Sequence, residues 1–115
     1  MKLPTIDRAT LDELKETAGA EFVVELVDTF LAEAPVMLAG LRQAFAARDT
    51  EAFRRTAHSL KSNANTFGAR RLAAMAKDLE LGGMASVEAA NGAPLDDFDD
   101  EYARVATALE EMKRA

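Results

Sequence analysis

The chain has 115 residues, 49% of them apolar, with five Met, six Phe, no Trp and no Cys, and a net charge of −6. One domain over residues 1–115 suits that length; the lack of Cys excludes a disulfide framework, a thiolate nucleophile and a zinc–thiolate site, and the acidity argues against nucleic acid as a partner. No basic stretch leads into an apolar run near Met1 and no apolar stretch nears the roughly 18 residues of a membrane span, so neither a secretory leader nor membrane insertion is expected and a cytoplasmic location is.

A first short helix is expected after Asp7, a good N-cap. Leu11 and Leu14 face inward, Ile6 packs back as a staple and Gly19 closes the turn. A long second helix, roughly Glu21 to Arg48, carries apolar residues at helical spacing from Phe22 and Val23 through Phe30 to Leu41 and Phe45. Pro35 falls inside it and predicts a kink, since the periodicity resumes at Met37. Asp49 or Thr50 caps a third helix whose stripe is Phe53, Ala57, Leu60, Ala64 and Phe67. Gly68 ends it in the left-handed conformation. A fourth helix turns Leu72, Met75, Ala76 and Leu79 inward, and Gly82-Gly83 is expected to stop it. Between Gly83 and Ala93 the reading is ambiguous, with room for a helical turn from Ser86 to Ala90. Pro94 opens a last helix with Leu95, Phe98, Tyr102, Val105, Leu109 and Met112 as its stripe. No segment reads as strand. The expected fold is all-α, an antiparallel four-helix bundle with an additional short N-terminal helix.

Charge is unevenly spread. Between Arg42 and Lys77 there are eight basic residues against two acidic ones, a local +6 in a chain whose remainder is −12. A solvated helix surface explains such a bias, and so does a face that meets an anion. The acidic run Asp96, Asp97, Asp99, Asp100 and Glu101 lacks calcium-loop spacing and opens a helix, so its carboxylates complement the helix dipole instead of binding metal.

The stretch with chemistry in it runs from Ala57 to Gly68. At about 100° per residue, His58 lies one position off the core stripe, at its solvent edge. Arg54, Lys61, Ser62 and Asn65 share its face. An exposed imidazole, largely unprotonated near neutral pH, can act as a nucleophile. Lys61 and Arg54 can offset the charge of phosphoryl oxygens, and the small Ser62 leaves room for a partner. Asn65 either touches the phosphoryl group or faces water. Arg70, Arg71 and Lys77 either extend a docking surface or form a solvated face. His58 and Glu80 lie about 15 and 18 Å from Gly68 along antiparallel helices, at similar heights. A carboxylate at Glu80 can take the hydrogen of one ring nitrogen and leave the other free.

Ala57-His58-Ser59-Leu60-Lys61, Phe67-Gly68-Ala69 and Leu72 through Leu79-Glu80, preceded by Phe30-Leu31 and Ala34-Pro35, resemble the histidine phosphotransfer (HPt) family over nearly the whole chain. The resemblance implies phosphorylation of His58 at Nε2, with Lys61 near the phosphoryl group, Glu80 orienting the ring and Gly68 as the turn glycine. The family usually has glycine where this chain has Ser62. It further implies a phosphocarrier without kinase activity or a cofactor of its own. The implied partners are response-regulator receiver domains, which supply the aspartate and Mg²⁺, and a sensor histidine kinase.

A helical adaptor that binds a receiver or kinase without carrying phosphate is the alternative from another class. An enzyme such as a phosphatase or metal hydrolase fits poorly with one histidine, no cysteine and no glycine-rich phosphate loop. A monomer is expected. The start Met1-Lys2-Leu3-Pro4 and the lack of a long linker favour a free-standing shuttle over a module of a larger kinase.

Overall fold

The computed structural model describes residues 5–114, so the reading of Met1 to Pro4 lies outside the described residues. Five helices follow one another: α1 (Arg8–Ala18), α2 (Ala20–Ala47), α3 (Thr50–Thr66), α4 (Arg70–Ala89) and α5 (Ala93–Arg114). There is no strand among the described residues. Short connections fold α2 to α5 into an antiparallel bundle, and α1 lies against α2 and α3. The α3–α4 hairpin is the most extensive pairing.

The stripe on α3 explains that pairing. Phe53, Ala57, Leu60 and Ala64 are all buried, and the two alanines bring the backbone of α3 close to its neighbours. Leu72, Ala73, Ala76 and Leu79 of α4 pack against them. Phe30 of α2 meets Phe67 at 5.3 Å and Tyr102 of α5 edge-on at 5.9 Å between ring centroids, joining three parts of the chain.

Caps fall where the side chains permit them. Asp7 accepts a hydrogen bond from the Ala9 backbone N–H, and Asp49 accepts one from that of Ala52. Ile6 is buried, consistent with a staple. Helix α2 runs through Pro35 and ends one residue earlier than expected, because Arg48 takes the left-handed conformation with φ 58°. The Arg48 guanidinium lies over the Phe45 ring at 5.6 Å and pairs with Glu88 at 2.6 Å.

The expected stop at Gly82-Gly83 is instead a break. Gly83 has φ 64° and ψ −164°, outside the helical region, and helix resumes on the far side as far as Ala89. Met84 and Val87, three residues apart, supply a second apolar face that is buried. The Ser86 hydroxyl donates to the Gly82 carbonyl across the break at 3.2 Å.

The last helix departs from its expected stripe at Glu101, which is 1% exposed. Its Oε1 accepts from the Arg104 Nε–H at 2.9 Å and lies 3.5 Å from Arg71 Nε. Its other oxygen has no hydrogen-bond partner. Asp96 and Asp99 of the acidic run both meet Arg42 of α2.

The α3–α4 turn is locked to the start of α1. Gly68 has φ 75°, and a Cβ built there would lie 2.8 Å from the Asp7 carbonyl oxygen. The Asp7 N–H donates to the Gly68 carbonyl at 2.8 Å. A Gly68→Ala substitution therefore incurs the left-handed penalty of about 1–2 kcal/mol and forces α1 away from the hairpin. Urea denaturation is expected to show destabilisation of at least about 1–2 kcal/mol with an unchanged m-value.

Candidate functional site

The one histidine of the chain lies midway along α3. Its neighbours Ala57 and Leu60 anchor that turn to the core and are fully buried, whereas the His58 side chain is 56% exposed. The position one residue off the stripe thus gives a ring that is held at its root and open at its tip.

Glu80 reaches the ring from α4. Its Oε2 lies 2.8 Å from His58 Nδ1, and its Oε1 accepts a hydrogen bond from Lys61 Nζ, also at 2.8 Å. Leu79, buried just before it, turns the carboxylate toward the helix interface, where its side chain is only 12% exposed. The Lys61 hydrogen bond holds the Glu80 carboxyl below its usual range; partial burial opposes this, and the bond to His58 adds to the lowering. An ionised carboxylate only accepts hydrogen bonds, so Nδ1 carries the ring hydrogen. The Nε2 lone pair is then available, and Nε2 has no hydrogen-bond partner among the described residues. Lys61 follows His58 by one helical turn, so its ammonium lies beside the ring while tied to the same carboxylate.

The structure distributes the other expected residues differently. Arg54 is bound to Glu51 at 2.6 Å, so its guanidinium is committed to a neighbour on its own helix. Ser62 and Asn65 are exposed on α3, and the Asn65 backbone carbonyl accepts from Gly68 N–H at 3.1 Å. Arg70 is a structural clamp: it bonds Asp7 at 3.0 Å and Thr10 at 3.2 Å, joining α4 to α1. The Thr10 hydroxyl first, and Arg70 next, hold the Asp7 carboxyl below its usual range. Arg71 faces the buried Glu101. Lys77 is exposed and makes no ion pair within 4 Å among the described residues. Arg55, which the sequence reading left in the general basic bias, is likewise exposed and without an ion pair among the described residues. Its signal was its place three residues before His58.

The described residues contain no group of three or more His, Asp or Glu side chains arranged to hold a metal ion. No described helix is long and apolar enough to cross a membrane. The chemistry on offer is a single oriented imidazole with a carboxylate behind it and an ammonium beside it.

The sequence from residue 25 to residue 115 matches the family model of the Hpt domain. The fold is similar to the crystal structure of histidine-containing phosphotransfer protein B (HptB) from Pseudomonas aeruginosa PAO1, with a TM-score of 0.85 and 30% sequence identity, over 98% of this chain and 97% of that one. No curated protein sequence matches the chain significantly. With its family model matched over most of its length and its bundle shared along the whole chain, the protein belongs to the histidine phosphotransfer family and has a histidine phosphotransfer role in phosphorelay.

Proposed function

We propose that His58 is the residue that carries the phosphoryl group, and that it exchanges it with the aspartate of response-regulator receiver domains, some of the phosphate entering from a sensor histidine kinase. The observation that carries this reading is the 2.8 Å contact between His58 Nδ1 and Glu80 on a ring more than half exposed. It leaves the outward nitrogen as the nucleophile.

The step balances as follows. The Nε2 lone pair attacks the phosphorus of the partner's acyl phosphate, forming an N–P bond. The O–P bond breaks, and its electron pair leaves with the aspartate carboxylate. The hydrogen on Nδ1 stays in place, so the phosphorylated ring is cationic and Glu80 faces it with a full negative charge. The same cation makes Nε2 a good leaving group when the transfer runs back. Lys61 is positioned to turn from Glu80 toward the phosphoryl oxygens as charge accumulates there. Ser62, one turn beyond His58, is small and exposed and keeps the approach open. The chain brings no cofactor; the receiver supplies its own Mg²⁺.

Incubation with a phosphorylated receiver is expected to give an acid-labile, base-stable phosphate on the wild-type chain and none on His58→Gln. Equal labelling of the two would remove His58 from this role, and unchanged binding and output in His58→Ala would indicate an adaptor. Lys61→Met is expected to slow transfer by roughly 10- to 150-fold, the equivalent of one charge-assisted hydrogen bond of about 1.5–3 kcal/mol.

Two further outcomes concern Glu80. In ¹⁵N spectra at about pH 8.5, where imidazole is ordinarily neutral, the wild type is expected to populate the Nδ1–H tautomer and Glu80→Ala a mixture of both. Because the Glu80 pKa is lowered on folding, its stabilisation is fully present above the unfolded carboxyl value of about 4.3 and is lost as pH falls through the lower folded value. Acid denaturation curves of Glu80→Gln are therefore expected to be flatter than wild type below about pH 4.

A further inference from the structure

Phosphorylation of His58 puts a new anion among the charged side chains of α3, and one of these is only loosely held. Arg54 lies one helical turn before His58, with about 5–6 Å between Cβ atoms at that spacing. Side chains on a helix lean toward its N-terminus, so the imidazole extends over the turn that carries Arg54. Lys61 lies three residues beyond the ring. The two cations therefore bracket His58 along the helix.

Arg54 is also on the correct side. At about 100° per residue, Arg54 and Lys61 fall within about 20° of each other around the axis, whereas Arg55 is about 100° from Arg54. Arg55 borders the depression toward α2 with Val36 and Met37, while Glu80 holds the ring from α4. The hydrogen bond and charge of Glu51, against slight desolvation, hold the Arg54 guanidinium above its ordinary value, and the Glu80 carboxylate adds to this. Arg54 thus lies in the field of the residue that orients the ring.

Its present partner is replaceable. The Glu51–Arg54 pair joins two side chains that are each more than half exposed, and such pairs contribute little to a fold. A phosphoryl group carries about two negative charges and three acceptor oxygens, against the single charge of Glu51. A guanidinium fork matches that array with two parallel hydrogen bonds.

We infer that Arg54 is a phosphate-responsive latch: Glu51 holds it aside in the unphosphorylated chain, and it swings to the phosphoryl oxygens on His58 Nε2 and lengthens the life of the phosphorylated state. This rests on the reading of His58 given above. In hydrolysis, water forms a new O–P bond, the N–P bond breaks, and its electron pair returns to Nε2. Both water protons leave with the released dihydrogen phosphate, and Nδ1 keeps its hydrogen. As the N–P bond loosens, the charge on the three oxygens falls from about two toward one. A cation on those oxygens therefore stabilises the phosphorylated ground state more than the transition state, and hydrolysis slows.

The test needs no partner protein. The chain is labelled with phosphoramidate, a small donor, freed of it by gel filtration, and followed at neutral pH for the half-life of its phosphohistidine. Arg54→Gln is expected to shorten the half-life about two- to fivefold, the range of an exposed charged contact. Glu51→Gln is expected to lengthen it about 1.5- to 2-fold, and the double variant to match Arg54→Gln, because Glu51 acts only through Arg54. Arg8→Gln, which removes an exposed cation from α1, is expected to leave it unchanged. All variants are expected to keep the wild-type melting profile, since glutamine suits an exposed helix.

An Arg54→Gln half-life equal to wild type would overturn the latch and leave the assignment of His58 standing, as would an equal shortening by Arg8→Gln. No lengthening in Glu51→Gln, or the same lengthening whether or not Arg54 is present, would overturn the exchange between partners. Failure of phosphoramidate to label His58 in the wild type would overturn both readings.

Discussion

The Glu80 carboxylate binds two groups on α3 at once, the ring nitrogen of His58 and the ammonium of Lys61, each at 2.8 Å. Both oxygens are used, one for each group. Lys61 keeps the carboxylate ionised, and the ionised carboxylate decides which imidazole nitrogen carries hydrogen. A surface histidine by itself would sample both tautomers and several rotamers. Here one partly buried side chain removes most of that freedom, and it does so from the next helix, so the chemistry depends on how α3 and α4 are registered.

Registration is set at the turn. Gly68 takes a conformation that side chains with a Cβ rarely adopt, and the start of α1 lies so close that a Cβ would collide with the Asp7 carbonyl. The Asp7 N–H bonds the Gly68 carbonyl, the Asp7 carboxylate caps α1, and Arg70 binds the same carboxylate from α4. One short acidic side chain therefore joins a helix start to the hairpin turn. Below the turn, Ala57, Ala64 and Ala76 are fully buried small residues that allow α3 and α4 to approach closely. The stiffness behind His58 comes from this packing and not from the exposed salt bridges along the surface, most of which join solvated side chains and contribute little.

Much of this could be read in the linear sequence. Five apolar residues at steps of three and four located the core face of α3, and His58 one step off it was expected at the solvent edge. Similar distances from Gly68, about 15 and 18 Å, put Glu80 near the height of His58. What escaped the reading were pairings between distant parts of the chain. Arg70 looked like part of a basic face because its partner Asp7 lies 63 residues away. Arg71 likewise has its partner far along the chain, on the last helix. Glu101 was counted among helix-opening carboxylates, although its place three residues after Phe98 and four before Val105 puts it on the buried stripe. Arg54 was assigned to the phosphoryl site, but the local helical pairing with Glu51 competes for it. Composition showed how many charges there were; only the fold showed which of them were already occupied.

The interruption of α4 at Gly83 has a bearing on how such a chain tolerates change. In a continuous helix, one inserted or deleted residue rotates everything beyond it by about 100°. A length change between Gly68 and Glu80 would swing the carboxylate off the imidazole. A length change after Gly83 meets a joint that is already non-helical, with the following piece tethered by Glu88 to Arg48. The break thus divides α4 into a stretch whose residue count is constrained by the ring and a shorter one whose residue count is constrained only by the burial of Met84 and Val87.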